Sequence, residues 1–540
     1  MPVDKSEWVV GKVLAAQAAT RGERPFLQFR DNPPLTYGEV DSQSNRLANG
    51  LLQHGVDHGE HVGVMIPNCI EYGLIWFALS RLGAVHVSIN IAYKGIFLSH
   101  VLNNAAGRLL ILHSDYLSWL AEVEDEVPSL ETVFVVGDSD STEIPAFKRI
   151  RALPFDPLLH FPDTPVEREV SFSDIGAIQY TSGTTGPSKG VLMPHAHLYL
   201  LGLGEVEHLE VSPEDVFYIC MPLFHSNAML LQLYGSLIAG CHVVIAERFS
   251  ASGWLDDIRN FGITITNTLG VMTEFVYRQP ERPEDKDHRL RVICAIPTPN
   301  EIREPFEARF GTRLIEAYGM TEINMVLFNT LDGEYRPGSC GKIYSTYFEV
   351  RVVDPDTDEE MPPGQVGEIV ARPREAFGFM QGYNAMPEKT VEAWRNLWFH
   401  TGDAGRRDED GYFYFVDRIK DCIRVRGENI SSYEIEKVLS EHQAVAEVAA
   451  VSVHSEIHGG EDEIKACIVL KKGARITAEG LLDFCQPRMP YFAVPRFVEF
   501  MEALPKTPTE KVRKTVLREQ GLTEGTWDRN AVGYEVRRRA

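Results

Sequence analysis

Alternation between short apolar runs and longer amphipathic stretches is the feature of this chain that most restricts its fold. Residues 61–66 and 84–89 are apolar runs of strand length, and the stretch between them, residues 72–83, has the length and pattern of a helix. The alternation continues through about the first 400 residues. Parallel strands need a crossover connection, usually a helix, so this order predicts an α/β fold with largely parallel sheets.

The alternation is interrupted near Asp417. A strand-like run, residues 413–416, is followed by the compact charged segment 417–421. Beyond this segment the chain begins a second, smaller set of helix and strand patterns. The sequence therefore predicts two domains, residues 1–417 and residues 418–540, and the second has the size of one ordinary domain.

The composition argues against several classes of protein. The formal net charge is −24, from 77 acidic and 53 basic residues, so no broad basic field is available for a nucleic acid. The eight cysteines are scattered without a CxxC pair, which indicates free thiols in a reducing compartment. The N-terminus lacks a signal-peptide core, and no apolar run approaches the roughly 20 residues needed to cross a bilayer. We therefore expect a cytoplasmic enzyme without a transmembrane segment.

The segment YTSGTTGPSKGV, residues 180–191, concentrates hydrogen-bond donors in a loop. After Tyr180 it holds five hydroxyl side chains, three glycines and Lys189. An apolar, strand-like run precedes it, and the residues from Val191 onward could begin a helix. Glycine lets backbone N–H groups approach phosphate oxygens, and hydroxyl and ammonium groups add donors. The pattern predicts a strand, a phosphate-binding loop and a helix.

Two common motifs are disfavoured for this loop. Gly183 and Gly186 are too close together for the phosphate loop G-x-x-x-x-G-K-[ST], which argues against a P-loop NTPase. Residues 186–190 match G-x-S-x-G, but a nucleophile elbow places its serine on a sharp turn directly after a strand. Ser188 instead lies inside the proposed phosphate loop, so a serine hydrolase is disfavoured as well.

Four further segments combine residue types that suit nucleotide chemistry. Residues 318–322, Tyr-Gly-Met-Thr-Glu, offer a ring for a base, a hydroxyl for a phosphate and a carboxylate for magnesium. Asp403, which follows Thr-Gly, could accept both hydroxyls of a ribose. A charged segment, residues 417–430, and a proline-led basic segment, residues 504–514, complete the set. Each segment alone also has an ordinary interpretation as a turn, a linker or a basic strand end.

Taken in order, these five segments resemble the motifs of the adenylate-forming superfamily, which includes acyl-CoA synthetases, aryl-CoA ligases, luciferases and peptide-synthetase adenylation domains. Residues 367–369 and 382–383 match a further stretch of the same family. The resemblance implies a large N-terminal domain of two α/β subdomains plus a small β-barrel. It also implies a smaller, mobile α+β C-terminal lid domain, with its hinge near Lys420.

The resemblance further implies roles for individual residues. Tyr318 would lie along the adenine ring, Thr321 would contact the α-phosphate, and Glu322 would help to hold Mg²⁺. Lys511 would neutralise the charge that builds at the α-phosphate, although Glu510 occupies the position where the family has glycine. The other implied ATP- or AMP-binding residues are Thr181, Ser182, Gly183, Thr184, Thr185, Lys189, Gly319, Asp403 and Arg418. The residues implied to meet CoA after domain rotation are Arg426, Gly427 and Glu428.

The acyl pocket is harder to interpret. Residues 221–227, MPLFHSN, resemble the pocket-entry motif of CoA ligases, and His225 stands where adenylation domains carry an aspartate for the amino group. We interpret His225 as a gate at the substrate carboxylate; the alternative is a histidine satisfied at a strand end. The wording is closest to the crotonobetaine/carnitine-CoA ligase branch, but the sequence identifies no aromatic cage or carboxylate for a quaternary ammonium. Further implied pocket residues are Asn227, Ile296, Pro297 and Ala317.

The implied function is ATP-dependent acyl-CoA ligation. A carboxylate would attack ATP to give acyl-AMP and pyrophosphate, and CoA would then displace AMP, so the expected small molecules are a carboxylic acid, ATP, Mg²⁺ and CoA. Two alternatives stay open: an adenylate-forming enzyme with another acceptor, luciferase-like or a carrier-protein ligase, and a non-catalytic nucleotide-binding homologue. A homodimer is compatible with the ligase function and with both alternatives. Because Glu510 departs from the family pattern, Lys506 and Lys514 are alternatives to Lys511.

Overall fold

Two mainly parallel β-sheets with flanking helices form most of the chain up to residue 315. The computed structural model describes residues 4–93, 95–137, 147–181, 188–418, 422–425, 428–454, 462–489, 493–507 and 511–536. The strands of this first part are β1 (Pro25–Phe29), β2 (Leu35–Thr36), β3 (His61–Met65), β4 (Val85–Ser88), β5 (Leu109–His113), β6 (Thr132–Val136), β7 (Arg151–Pro154), β8 (Ile175–Thr181), β9 (Lys189–Pro194), β10 (Val216–Ile219), β11 (His242–Ile245), β12 (Ile265–Leu269), β13 (Val292–Ile296) and β14 (Arg313–Ile315). Its helices are α1 (Val10–Arg21), α2 (Tyr37–Gln53), α3 (Ile70–Leu82), α4 (Ile96–Ala105), α5 (Leu117–Val123), α6 (His195–His208), the π-helix π1 (Asn227–Tyr234), α7 (Gly235–Ala239), α8 (Trp254–Asn260), α9 (Gly270–Tyr277) and α10 (Asn300–Phe310).

The rest of the chain is richer in antiparallel pairs. Its strands are β15 (Ala317–Met320), β16 (Asn324–Phe328), β17 (Lys342–Ile343), β18 (Phe348–Val353), β19 (Val366–Pro373), β20 (Gly382–Tyr383), β21 (Trp394–Arg395), β22 (Trp398–Arg407), β23 (Phe413–Arg418), β24 (Cys422–Val425), β25 (Glu428–Ser431), β26 (Val445–His454), β27 (Asp462–Leu470), β28 (Phe497–Phe500) and β29 (Trp527–Asp528). Its helices are α11 (Pro387–Ala393), α12 (Ser432–Ser440), α13 (Ala478–Cys485) and α14 (Lys514–Gln520).

The two large sheets confirm the predicted α/β class. One has eight strands in the order β20-β9-β8-β4-β3-β5-β6-β7, and the other has seven in the order β14-β13-β12-β10-β11-β1-β2. Most neighbours within them run parallel, whereas β9 pairs antiparallel with both β8 and β20, and β2 pairs antiparallel with β1. A single hydrophobic core cluster contains side chains from both sheets and from α1, α2, α3, α6 and π1. The sheets therefore share a core.

Helix α3 illustrates why the connecting helices lie between the sheets. It is apolar on nearly every face, and almost all of its side chains are buried, as expected for a helix that packs on both sides. The helix ends at Gly83, which takes a left-handed conformation with φ of 68°. A side chain there would be strained and would also collide with the His58 ring, so glycine is required at this turn.

The donor-rich loop joins two strands, and in this the sequence prediction was wrong. Strand β9 returns antiparallel along β8, with Thr181 opposite Lys189, and α6 begins only after β9 ends at Pro194. Residues 191–193 pack in the core as strand residues, because their partners on β8 complete the hydrogen bonds that a helix would otherwise supply. The loop therefore connects the antiparallel strands β8 and β9 of the eight-stranded sheet, in which β20 is the edge strand beyond β9.

Residues 317–418 form two smaller antiparallel sheets. One has the order β15-β16-β17, and the other has the order β18-β19-β22-β21, with β23 also paired to β22. Within the residues that the structure describes, these pairings leave both sheets open, so the expected small β-barrel is not present as a closed set of strands. The long strand β22 pairs with three others and therefore connects the elements that carry the predicted nucleotide residues.

The C-terminal part is a smaller α+β unit with its own core. Strands β26-β27-β28-β29 form a mixed sheet, in which β27 and β28 run parallel, and β24 and β25 form a separate hairpin. Ile435, Leu439 and Ile468 belong to a core cluster made entirely of residues from this unit. The proposed division after residue 417 falls at the end of β23. None of the helices described in either part is long and apolar enough to cross a membrane.

Candidate active site

Tyr318 and Asp403, predicted from separate segments, are in direct contact. The Tyr318 hydroxyl donates a hydrogen bond to Asp403 Oδ2 at 2.7 Å, and both side chains are buried. Tyr318 lies in β15 and Asp403 in β22, where Asp403 pairs across the strands with Arg418 of β23. The sheet register thus brings together three residues that the sequence predicted for adenine and ribose, two by their side chains and Arg418 by its strand position.

The backbone around Asp403 is fixed by a set of buried hydrogen bonds. The Thr401 hydroxyl donates to the Ile369 carbonyl at 2.6 Å and accepts the Asp403 N–H at 3.0 Å. The N–H of Gly402, whose φ is 70°, donates to Glu368 Oε1 at 2.9 Å. Thr-Gly-Asp is therefore part of a strand with one left-handed residue, whereas the sequence alone also allowed a simple turn. Such bonds restrict the Asp403 carboxylate to one direction.

Glu322 and Lys189 meet at a tyrosine to which sequence analysis gave no role. The Tyr383 hydroxyl donates to Glu322 Oε1 at 3.0 Å, and Lys189 Nζ lies 4.0 Å from the centre of the Tyr383 ring. Tyr383 belongs to β20, which pairs with β9 directly beside Lys189. The signal that could have identified it was present, since residues 382–383 match a family stretch. A cation, a carboxylate and an aromatic ring thus lie together at the base of the phosphate loop.

Thr321 is connected to the pocket-entry segment through Ser226. The two hydroxyl oxygens are 3.1 Å apart, and Ser226 also donates a hydrogen bond to Gln179 of β8. Sequence analysis missed both Ser226 and Gln179, because neither residue type is specific enough to stand out alone. Through this network the predicted α-phosphate contact, Thr321, lies beside the predicted acyl entrance, and Gln179 connects both to β8, two residues before Thr181.

His225 lies in the turn that precedes π1, and its ring packs against Phe224 with ring centres 4.5 Å apart. Surrounding protein lowers the pKa of the imidazole to about 4, although much of its surface stays open to solvent. The ring is therefore neutral at pH 7 and can either donate or accept one hydrogen bond. His225 is exposed in the turn between β10 and π1, and its interpretation as a gate at the substrate carboxylate, against that of a histidine satisfied at a strand end, stays a prediction.

The other predicted pocket residues lie at the ends of neighbouring elements. Asn227 begins π1, and its Oδ1 accepts hydrogen bonds from Gln232 at 2.9 Å and from Asn267 at 3.1 Å. Ile296 ends β13 and forms a cis peptide bond with the exposed Pro297. Ala317 is buried at the start of β15, one residue before Tyr318.

Lys511 lies on the C-terminal unit and is exposed. Its backbone N–H donates to the Thr507 hydroxyl at 3.2 Å, and its carbonyl accepts from the Thr507 N–H at 2.8 Å. The two alternative lysines are paired with carboxylates of the same unit, Lys506 with Glu447 at 2.9 Å and Lys514 with Glu436 at 3.0 Å. The assignment of the catalytic lysine to Lys511, with Lys506 and Lys514 as alternatives, stays a prediction.

Several predicted residues fall outside the described ranges. For Arg418 and Glu428 only the strand positions are described, in β23 and β25. Those outside the described residues are Ser182, Gly183, Thr184, Thr185, Lys420, Arg426, Gly427 and Glu510.

Comparison with known proteins places this geometry in a family. Residues 14–384 match the family described as AMP-binding enzyme, and residues 434–511 match the AMP-binding enzyme C-terminal domain. A crotonobetaine/carnitine–CoA ligase from Citrobacter koseri is 30% identical over 497 residues, which cover 90% of this chain and 93% of that protein.

Solved structures of related proteins have the same fold. ATP-bound MatB from Rhodopseudomonas palustris superimposes with a TM-score of 0.82 and 25% identity, covering 95% of this chain and 99% of that chain. The anthranilate CoA ligase AuaEII, in complex with anthranoyl-AMP, has a TM-score of 0.82 and 26% identity, covering 95% and 97%. In fold, in sequence and in the order of its motifs, the chain belongs to the adenylate-forming family of AMP-binding enzymes.

Proposed function

We propose that this protein is an ATP-dependent acyl-CoA ligase, which converts a carboxylic acid first to acyl-AMP and then to the acyl-CoA thioester. The contact between Tyr318 and Asp403 carries the proposal, because it joins two separately predicted nucleoside-binding residues in one buried site. Related proteins support it: one is named as a CoA ligase, one was solved with ATP and one with an acyl-adenylate.

In the first half-reaction a substrate carboxylate oxygen attacks the α-phosphorus of ATP. The bond to the β-phosphate oxygen breaks, and pyrophosphate leaves. Tyr318 and Asp403 hold the nucleoside, Thr321 contacts the α-phosphate, and Lys189 with the loop that follows Thr181 holds the departing phosphates. Catalysis of this kind depends mainly on positioning and on neutralising charge. Lys511, which projects from the lid, stabilises the negative charge that builds at the α-phosphate.

Glu322 is the residue we propose as a magnesium ligand. Carboxylate oxygens are the ligands that Mg²⁺ prefers, and this carboxylate is buried close to Lys189, which is proposed to bind phosphate. Its oxygen Oε1 already accepts from Tyr383, which fixes the direction of the carboxylate. Bound there with ATP, Mg²⁺ would neutralise phosphate charge.

His225 is proposed to lie at the substrate carboxylate. A neutral imidazole can donate one hydrogen bond to a carboxylate oxygen without neutralising the carboxylate charge, so the nucleophile is oriented and stays reactive. Ser226, beside it, keeps the same segment in contact with Thr321. The acid and the α-phosphate are thereby held side by side.

In the second half-reaction the CoA thiolate attacks the acyl carbonyl, the bond to AMP breaks, and AMP leaves. We propose that residues 418–540 rotate about Lys420 between the two steps, so that Lys511 leaves and Arg426, Gly427 and Glu428 approach CoA. The separate core of the C-terminal unit supports a body that can move as a whole. One active site then serves two reactions.

The test measures both half-reactions over a broad panel of carboxylic acids. ATP–pyrophosphate exchange without CoA reports adenylate formation, and the mass of the CoA thioester reports the second step. Exchange followed by thioester formation supports the proposal. Exchange without thioester would point to another acceptor, and absence of AMP with every acid would point to a non-catalytic nucleotide-binding protein.

A further inference from the structure

Three buried polar side chains converge behind the acyl entrance. Glu205 of α6 is completely buried, Gln232 lies in π1, and Asn267 lies in the middle of β12. The amide nitrogens of Gln232 and Asn267 both donate to Asn227 Oδ1, which brings these two side chains together. A Cβ built at Gly235 would lie 3.5 Å from Glu205 Cβ, so the end of π1 packs directly on α6 at this glutamate.

Four oxygen atoms of this cluster can accept hydrogen bonds but receive none from the residues that the structure describes. Among the residues that the structure describes, no donor is within hydrogen-bond geometry of Glu205 Oε1, Glu205 Oε2, Gln232 Oε1 or Asn267 Oδ1. Burial raises the pKa of Glu205 to about 7, and the nearby Asn267 side chain, which favours the charged carboxylate, offsets only part of this shift. Buried polar atoms are nearly always paired, and an unpaired carboxylate is costly to keep. A set of four unpaired acceptors therefore lacks a partner that donates hydrogen bonds.

The position of the cluster links it to the substrate. Ser226, next to Asn227 in the chain, touches Thr321, the proposed α-phosphate contact. Asn227 is itself partly exposed and bonds directly to the cluster. An acid whose carboxylate lies at His225 and Thr321 would therefore extend past Asn227 toward Glu205. The π-helix supports this assignment, because π turns are rare and are frequently found at functional sites.

We infer that Glu205, Gln232 and Asn267 bind the far end of the substrate, and that this end is an ammonium group with N–H donors, so that the substrate is an ω-ammonium carboxylic acid. The inference rests on the proposed ligase function and specifies its substrate class. A primary ammonium supplies three donors and a positive charge to this set of acceptors. A trialkylammonium supplies the charge but no N–H, and a methyl group supplies neither.

The experiment compares acids of equal length. The probes are γ-aminobutyrate, δ-aminovalerate and ε-aminocaproate, each matched with the acid in which a methyl group replaces the ammonium, and each also tested as its trimethylated form. The variant is Glu205→Gln, which keeps the shape of the side chain and removes its charge. Glu207→Gln is the matched control, because Glu207 lies on the same helix, is exposed and faces away from the cluster toward Tyr344.

For the best of the three lengths we expect the wild type to prefer the ammonium acid by at least about tenfold in kcat/KM over its methyl and trimethylated matches. Glu205→Gln should lose at least about tenfold with the ammonium acid and little with the methyl acid, while Glu207→Gln behaves as wild type. A wild type that favours the methyl or trimethylated acid overturns the inference, as does an unchanged preference in Glu205→Gln.

A binding measurement separates this inference from the ligase function. Calorimetric titration of each ammonium acid into wild type and Glu205→Gln needs no turnover. Binding that is weakened by Glu205→Gln, without AMP formation, would support the site and contradict the ligase. Thioester formation from uncharged acids alone would support the ligase and contradict the site. A thermal melt of Glu205→Gln establishes that the variant is folded before either result is interpreted.

Discussion

The nucleotide side and the acyl side of the proposed active site are built in opposite ways. At the nucleotide side, Asp403 and its backbone are held by four hydrogen bonds that the protein supplies itself, from Tyr318, Thr401 and the strand around them. At the acyl side, neither carboxylate oxygen of Glu205 has a donor in hydrogen-bond geometry among the residues that the structure describes. A side chain that the protein already holds in one direction is preorganised for its ligand, whereas one without such a donor is completed only when its ligand arrives.

This difference predicts how substitutions behave. Changes at the nucleotide side should affect all acids equally, because every reaction uses ATP. Changes at the acyl side should affect acids unequally. The following predictions sharpen or break this contrast, beginning with the largest expected effect.

Lys511→Ala should reduce adenylate formation by about a thousandfold with every acid, because the charge at the α-phosphate loses its neutralising group. Thioester formation from supplied acyl-AMP should remain. Pyrophosphate exchange and CoA consumption measure the two steps separately. Lys420→Pro should show the reverse, and loss of both steps in both variants would contradict the hinge. Lys506→Ala is the control; if it alone stops exchange, the catalytic lysine has been misassigned.

Asp403→Asn should lower kcat/KM for ATP by about a hundredfold, since a carboxylate that accepts two ribose hydroxyls becomes an amide with one acceptor. The factor should be the same with each acid that the enzyme uses, as measured by steady-state kinetics. Asp410→Asn makes the same charge change on an exposed turn and should have little effect. A factor that varies from acid to acid would mean that the two sides are not independent.

Glu205→Gln should stabilise the protein while it damages selectivity. The pKa of Glu205 is raised from 4.5 to about 7 in the folded state, so folding binds a proton between these values and the wild type loses stability as the pH rises through this window. The gain from the variant should therefore be absent near pH 4 and reach up to about 3 kcal/mol above pH 7. A rise in the apparent Tm of about 2–5 °C at pH 8 would measure it.

Glu207→Gln, an exposed substitution on the same helix, provides the comparison for this melt. Equal pH profiles for wild type and Glu205→Gln would mean that the Glu205 carboxylate has a partner in the resting protein. The carboxylates of the acyl side and the nucleotide side would then both be held by the protein, and the contrast between the two sides would be wrong.

Tyr318→Phe should have the smallest effect, about fivefold in KM for ATP, because it removes one hydrogen bond to Asp403 and keeps the ring that lies along the base. Steady-state kinetics with ATP as the varied substrate would measure it. A loss as large as that of Asp403→Asn would show that the hydroxyl, and not only the ring, is needed to hold the nucleoside.

Local patterns in the sequence predicted the α/β class, individual strands such as residues 61–66 and 84–89, and the segments of the nucleotide side. Tyr318, Asp403 and Glu322 could be recognised because their segments have fixed spacings. The antiparallel return of β9 could not, because residues 191–193 read equally well as strand or helix and only their pairing with β8 decides between them. The closed barrel was expected from the family resemblance, and the strand pairings in the described residues do not form it.

The sequence pattern did not single out Glu205. It lies in α6 among residues that are mostly apolar or small, and a glutamate in a helix is ordinarily exposed. Its burial depends on π1 and β12 closing over it, and these elements are 20 to 60 residues further along the chain. No single segment of the sequence identifies a carboxylate for the acyl pocket, because Glu205 reaches its position only when α6 packs against π1 and β12.

The π-helix also has a consequence for how such selectivity could arise. Asn227 and Gln232 bond to each other across five positions, a spacing that a π turn aligns and an α-helix does not. Removing one residue between them would restore α-helical winding and leave the two side chains four positions apart, a spacing at which they still lie on the same face. A single-codon deletion, without any exchange of amino-acid type, would then change which of the intervening residues face the proposed acyl site while Asn227 and Gln232 stay neighbours.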